Sequence, residues 1–154
     1  MTEAANHDEE TELVPAMPSD VELLSLLGDA RTIAVVGLSS KPHRDSYDVA
    51  RYLQTKGYRI VPINPKETEV LGERAYPTLD DVPSDVEIDV VDVFRRAEDT
   101  PPIAEAAVRR GAKVLWLQAG IVNEDARRIA EAAGLTVIMG VCIRTTRKRL
   151  EGEA

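Results

Sequence analysis

A glycine followed by hydroxyl and basic side chains ends the first apolar run of this sequence. The run Thr32–Val36 leads into Gly37, and polar residues that could bind an anion follow it: Ser39, Ser40, Lys41, Arg44 and Ser46. A buried strand that turns at a glycine into a helix brings backbone N–H groups and the positive end of the helix dipole together. This spacing predicts phosphate binding, although the same turn also occurs in α/β sheets that bind no ligand.

A second polar group, Asn64, Pro65 and Lys66, follows the next apolar run. The dinucleotide-binding pattern G-x-G-x-x-G is incomplete, because Ser39 and Pro42 stand at its second and third glycine positions. NAD-binding chains also carry an acid after the second strand, where this chain has Lys66. A lysine suits a phosphorylated ribose, as in NADP, but the missing glycines count against either nicotinamide dinucleotide.

Candidate nucleophiles and bases are few, and none has an obvious partner for a catalytic dyad. Cys142 is the single cysteine, so it can form neither a disulfide within the chain nor a thiolate zinc site. An accessible Cys142 could exchange with a thiol ligand, and the alternative is an inert, half-buried side chain. His43 in the glycine loop is either a phosphate contact or a solvated residue. Asp89 and Asp92 alternate with apolar residues in a strand, and we expect them to contact neighbouring loops, although Asp92 could also face the site.

The remaining pattern alternates between strands and helices, which implies right-handed crossovers and a doubly wound parallel α/β sheet of about five strands with helices on both faces. The predicted strands are Thr32–Val36, Tyr58–Ile63, Ile88–Val93, Val114–Leu117 and Thr136–Met139. The predicted helices run from Ser19 or Asp20 to Leu27, from Ser46 to Lys56, from Pro101 or Pro102 to Arg110, from Asn123 to Ala133 and from Thr145 to Leu150. Between Lys66 and Ser84 no helix is clear; Val70-Leu71 is a candidate short strand and Leu79–Val82 a candidate helical turn.

Length and composition indicate one globular domain. The chain has 154 residues, of which 44% are hydrophobic and 30% charged. Its start resembles no signal peptide and no apolar run approaches the ~18 residues needed to cross a bilayer, so we expect a cytoplasmic protein without a membrane association.

The net charge of −8 comes largely from the start of the chain. Residues 1–14 contain Glu3, Asp8, Glu9, Glu10 and Glu12 but no lysine or arginine. We therefore predict that residues 1–18 form a disordered acidic tail and that residues 19–154 form the domain. The rest of the chain carries no basic stripe with interleaved aromatics, which argues against nucleic acid as a partner.

Four segments in order, residues 34–65, 91–99, 112–126 and 134–142, resemble the small stand-alone CoA-binding proteins. These are Rossmann-like domains related to the CoA-binding domain of the succinyl-CoA synthetase α subunit. The resemblance implies coenzyme A at the carboxyl ends of the strands. It also implies a pyrophosphate loop made of Gly37, Ser39, Ser40 and Lys41, with Arg44 and Ser46 at the start of the crossover helix. By the same resemblance, the adenosine end would be bound by Asn64, Pro65 and Lys66. The pantetheine arm would be lined by Val93, Phe94, Arg95, Gln118, Ala119 and Gly120. Several relatives have Asp-Arg where this chain has Gly140-Val141.

The function expected from the residues and the resemblance together is non-catalytic binding of coenzyme A or an acyl-CoA. One alternative is an NADP-dependent oxidoreductase, and another is a partner subunit in acyl-CoA chemistry. In phosphoryl-transferring relatives a histidine carries the phosphate, and neither His7 nor His43 lies in the matching segment, which argues against ligase chemistry. A purely structural or interaction protein would require the glycine loop to stay empty.

Overall fold

The central element of the fold is a five-stranded parallel sheet whose strands lie in the order Arg59–Ile63, Thr32–Val36, Val90–Val93, Val114–Leu117 and Thr136–Met139. The structure, a computed structural model, describes residues 17–153. The strands of this sheet are β1 (Thr32–Val36), β2 (Arg59–Ile63), β5 (Val90–Val93), β6 (Val114–Leu117) and β7 (Thr136–Met139). The predicted α/β class is confirmed. The predicted tail lies outside the described residues, apart from Met17 and Pro18.

Five α-helices connect and flank the strands in the described part of the chain: α1 (Asp20–Asp29), α2 (Asp45–Thr55), α3 (Thr100–Arg109), α4 (Glu124–Ala132) and α5 (Ile143–Glu151). Helices α1, α2 and α5 cover one face, where Ile33, Val35 and Trp116 are fully buried. Helices α3 and α4 cover the other face with small residues such as Ala107 and Ala130. Helices therefore lie on both faces, as predicted, and none of those described is long and apolar enough to cross a bilayer.

The segment between β2 and β5 contains no crossover α-helix. It forms a two-stranded antiparallel hairpin, β3 (Glu69–Val70) with β4 (Glu73–Arg74), and then a single 3-10 turn at Leu79–Asp81. Leu71 lies in the hairpin turn at φ 54°, so the predicted strand Val70-Leu71 ends one residue earlier. The predicted helical turn is present. The last helix begins at Ile143, earlier than the predicted Thr145.

The strand order places a topological switch point beside β1. The chain passes from β1 to β2 on one side and later returns to β5 on the other, with Ala34 in register with both Val61 and Val91. In open α/β sheets the loops that leave the carboxyl ends of the strands at such a point enclose a crevice, and ligands bind there. The loops after β1, β2 and β5 therefore border the crevice where a ligand is expected.

Candidate functional site

Gly37 forms the turn that takes the chain from β1 into the loop before α2. Its φ is +91°, and a Cβ atom built there would lie 2.5 Å from the carbonyl oxygen of Phe94. The N–H of Gly37 donates to the carbonyl of Ile63 at 2.7 Å, and the N–H of Phe94 donates to that of Val36 at 2.8 Å. Glycine is needed here because the backbone after β5 leaves no room for a side chain.

The backbone amides of Ser39, Ser40 and Lys41 in the glycine loop each have a hydrogen-bond partner among the described residues. Ser39 N–H donates to the buried hydroxyl of Ser46 at 3.1 Å, and Lys41 N–H donates to the hydroxyl of Ser39 at 3.0 Å. Ser40 N–H donates to the carboxylate of Glu67 at 2.9 Å. The two serine hydroxyls thus fix the shape of the loop, and the amide of Ser40 holds an anionic group.

A cleft of about 970 Å³ opens where the loops after β1, β2 and β5 meet the start of α2. It brings together most of the predicted binding residues, namely Gly37, Ser39, Ser40, Lys41, Arg44, Ser46, Asn64, Lys66, Phe94 and Arg95. It is also lined by His43, Asp45, Glu67, Arg96 and Ile121. Glu67, Arg96 and Ile121 were not predicted from the sequence as binding residues, although each lies three or four residues after the end of a predicted strand.

The charge of the cleft is mainly positive. The cations come from two loops and are Lys41, Arg44 and Lys66. Among residues 17–153, no carboxylate lies within 4 Å of any of these three side-chain cations as an ion-pair partner. Arg95 and Arg96 both lie beside Asp99, with Arg96 Nε 3.0 Å from its carboxylate. The hydrogen bond from Arg96 lowers the pKa of Asp99, so that carboxylate is ionised and offsets part of the charge at the rim.

The first turn of α2 faces the cleft. Its N-cap residue is Arg44, whose side chain forms no capping hydrogen bond with that turn. A helix N-terminus carries a partial positive charge, so an anion in the cleft is favoured at this end of α2.

Asn64 holds two loops of the site in place. Its Nδ2 donates to the carbonyl of Leu38 at 3.0 Å, and its Oδ1 accepts the N–H of Lys66 at 2.9 Å. The adjoining Pro65 lines a second cavity of about 270 Å³, together with apolar residues such as Ile63, Pro77 and Ile103. Arg95 lines both cavities, so the second cavity adjoins the charged cleft.

Two residues predicted along the pantetheine arm are buried and do not line the cleft. Val93 is fully buried in the core under α3 and α4. Gln118 is 4% exposed, and its Oε1 accepts the N–H of Ile143 at 3.1 Å, which fixes the start of α5. The cleft does not bring these two residues together with the others, and their contact with a pantetheine arm stays a prediction. Ala119 and Gly120 are exposed after β6 but lie outside the cleft lining.

The two aspartates of the β5 segment have opposite environments. Asp89 accepts the N–H groups of Arg31 and Thr32 at 2.8 and 3.0 Å, as expected for a contact with neighbouring loops. Burial opposes its ionisation, but these bonds and Lys113 lower the pKa of Asp89. Asp92 is fully buried, and its carboxyl oxygens lack a hydrogen-bond partner among the described residues, so its predicted loop contact was wrong. Burial, and next the nearby Cys142, raise the pKa of Asp92 well above its usual range.

Cys142 precedes α5 and is partly buried, packed against the same apolar layer as Phe94 and Val141. Burial opposes ionisation of the thiol, but the start of α5 and Gln118 beside it lower the pKa of Cys142 below its usual value. Cys142 does not line the cleft.

Comparison with known proteins gives one consistent relationship. The model of a family described as a CoA binding domain matches residues 31–147. A protein of Bacillus subtilis, the uncharacterized YneT, is 43% identical over 127 residues, which are 82% of this chain and 93% of YneT. A solved structure, a hypothetical protein from Pyrococcus horikoshii, superimposes with a TM-score of 0.84 at 37% identity, and the match covers 91% of this chain and all of the other.

A more distant similarity is to part of a larger enzyme. The α subunit of an ADP-forming acetate–CoA ligase from Pyrococcus furiosus is 27% identical over 131 residues, which are 79% of this chain but only 28% of the ligase subunit.

Proposed function

The chain belongs to the CoA-binding domain family, and on that premise we propose that it binds coenzyme A or an acyl-CoA in the cleft beside β1 without transforming it. The observation that carries the proposal is the meeting of Lys41, Arg44 and Lys66 with the uncapped start of α2. Coenzyme A brings a pyrophosphate and a ribose phosphate, so several cations from separate loops match its charge.

We place the pyrophosphate at the Ser39–Lys41 loop, between Lys41 and Arg44. Lys66 leaves the neighbouring β2 and would bind the ribose phosphate. The smaller cavity beside Pro65 is mainly apolar and adjoins the cleft through Arg95, which suits the flat adenine ring. Phe94 and Ile121 also line the cleft and would offer apolar surface to the pantetheine arm.

The residues of the cleft support binding rather than catalysis. Its titratable groups other than the cations are His43, Asp45 and Glu67, and the hydrogen bond formed by Glu67 goes to the backbone of Ser40. Nucleophilic catalysis needs a nucleophile and a base within hydrogen-bond reach, and in the described part of the chain no such pair lines the cleft.

A second candidate function is a partner subunit in acyl-CoA chemistry. It is favoured by the similarity to the acetate–CoA ligase α subunit, of which this chain corresponds to a small part. In that case the chain would hold the CoA moiety while a second polypeptide supplied the reactive groups.

Calorimetric titration of the full chain with CoA, acetyl-CoA and NADP tests the proposal. We expect saturable binding of CoA and acetyl-CoA with a stoichiometry of one, weaker or absent NADP binding, and recovery of unchanged acetyl-CoA after prolonged incubation. Tighter binding of NADP than of CoA would contradict the CoA assignment, and conversion of acetyl-CoA by the chain alone would contradict the non-catalytic role.

A further inference from the structure

The carboxylate of Glu67, in the loop after β2, binds a backbone amide of the glycine loop. Its Oε2 accepts the N–H of Ser40 at 2.9 Å, although the two residues are 27 positions apart in the chain. The neighbouring amides of Ser39 and Lys41 are bound by serine hydroxyls. The Ser40 amide is therefore the only one of these three that is bound to an anion.

The backbone around Glu67 is held in place by its own turn. The N–H of Lys66 donates to Asn64 Oδ1 at 2.9 Å, and the N–H of Glu67 donates to the Asn64 carbonyl at 3.2 Å. Asn64 Nδ2 in turn donates to Leu38 in the glycine loop at 3.0 Å. Asn64 thus sets the distance between the two loops, and the Glu67 carboxylate reaches Ser40 as a consequence.

A carboxylate in this cleft opposes anion binding in two ways. It uses a backbone donor that a phosphoryl oxygen would otherwise take, and its charge partly neutralises the cations of Lys41, Arg44 and Lys66. Glu67 is itself half-buried at the cleft wall, so its side chain can turn toward solvent when another anion arrives.

From this contact, and resting on the proposed function, we propose that Glu67 weakens ligand binding by acting as a resident anion. By this we mean a carboxylate of the protein itself that binds the Ser40 amide where a phosphoryl oxygen of the ligand would bind. In the empty protein the Glu67 carboxylate holds the Ser40 amide, and a phosphoryl oxygen of the ligand takes its place on binding. Every ligand that uses the Ser40 amide must displace Glu67, so the carboxylate weakens the binding of such ligands.

The test compares Glu67→Gln with Glu69→Gln. Glutamine keeps an oxygen that can accept the Ser40 N–H, so the loop keeps its shape while the competing charge is removed. Glu69 lies two residues further on, in β3, and is exposed; its substitution removes the same charge from the same segment without touching Ser40. Wild type and both variants are titrated calorimetrically with CoA and with inorganic pyrophosphate, which carries no ribose or adenine.

We expect Glu67→Gln to lower the Kd for both ligands by about 3- to 10-fold, because a half-buried carboxylate no longer competes for the Ser40 amide. Glu69→Gln should change either Kd by less than about 2-fold, because an exposed charge is screened. An unchanged Kd in Glu67→Gln, or an equal gain in Glu69→Gln, overturns the inference. A weaker affinity for CoA alone also overturns it, because Glu67 would then be a ligand contact, for example to the ribose hydroxyls.

Failure of the proposed function gives a different result. If no variant binds CoA, the proposed function is contradicted, and the pyrophosphate titrations decide the role of Glu67 by themselves. Tighter pyrophosphate binding in Glu67→Gln than in wild type would then still support the resident anion, and equal or absent binding would reject it.

Discussion

Gly37 and Phe94 approach each other so closely that the position of Gly37 admits no side chain: a Cβ there would lie 2.5 Å from the Phe94 carbonyl oxygen. This contact joins the loops after β1 and β5, the two strands that border the switch point. The shape of the cleft therefore depends on a residue that need not touch the ligand.

The first prediction concerns this contact. Gly37→Ala should lower the free energy of unfolding by more than the about 1–2 kcal/mol that a left-handed backbone costs an L-residue, because the Cβ also displaces Phe94. Affinity for CoA should fall with it. Gly57→Ala is the matched control, since Gly57 has a similar φ of +95° and no atom within 4 Å of the added Cβ. Chemical denaturation of both variants, with calorimetry, measures the two effects. Equal destabilisation by the two substitutions would contradict the steric role of Phe94.

The second prediction concerns the loop cations. The double variant Lys41→Ala, Arg44→Ala should weaken CoA binding by about 1–3 kcal/mol, because charge-assisted hydrogen bonds to phosphate are lost. The loss should be larger at low salt than at high salt. A double variant Arg59→Ala, Arg128→Ala removes the same formal charge outside the cleft and should leave the affinity nearly unchanged. Equal losses in the two double variants would mean that only the net charge matters.

The third prediction separates the phosphates. Lys66→Ala should weaken CoA but have little effect on dephospho-CoA, which lacks the ribose phosphate. Titration of both ligands into wild type and variant measures the difference. If both ligands lose the same affinity, Lys66 does not bind the ribose phosphate, and the adenosine must lie elsewhere.

The fourth prediction concerns Asp92 and the pH dependence of stability. Its pKa is raised in the fold, so between the ordinary aspartate pKa and the raised one the folded state binds more protons than the unfolded chain. The stabilising contribution of the protonated Asp92 carboxyl is complete below the ordinary aspartate pKa. It is lost as the pH rises toward the raised pKa, by at most about 1.4 kcal/mol per pH unit. Asp92→Asn should remove this loss.

Asp89→Asn is the control for that experiment, with the opposite sign. The pKa of Asp89 is lowered in the fold, so its contribution is present above the ordinary value and is lost as the pH falls. Denaturation curves across the acidic and neutral range measure both slopes. A wild-type slope that persists in Asp92→Asn would show that Asp92 does not cause it.

Much of this site could be predicted from the strand ends. Gly37, Lys41 and Lys66 follow short apolar runs, and parallel strands bring such loops to one edge whatever the details of packing. Side-chain directions could not be predicted in the same way. Gln118 follows a strand just as Lys66 does, yet its amide is turned inward to the start of α5.

Two other features could not be predicted from the sequence, for different physical reasons. Alternation of polar and apolar residues usually indicates a strand with one solvated face, whereas Asp92 alternates in a strand that is covered on both faces. The contact of Glu67 with Ser40 joins residues far apart in the chain, and it depends on the distance that Asn64 sets between two loops.

An NMR titration of the isotopically labelled full chain with CoA tests directly whether CoA binds at this edge of the sheet. We expect saturable shifts in the amides of Ser39, Ser40, Lys41 and Lys66, with smaller changes in the buried strands. The basic residues of α5, such as Arg147 and Lys148, lie outside the cleft and serve as the internal reference for non-specific anion binding. Shifts confined to α5, or no saturable shift in the glycine loop, would contradict the binding of CoA at this edge of the sheet.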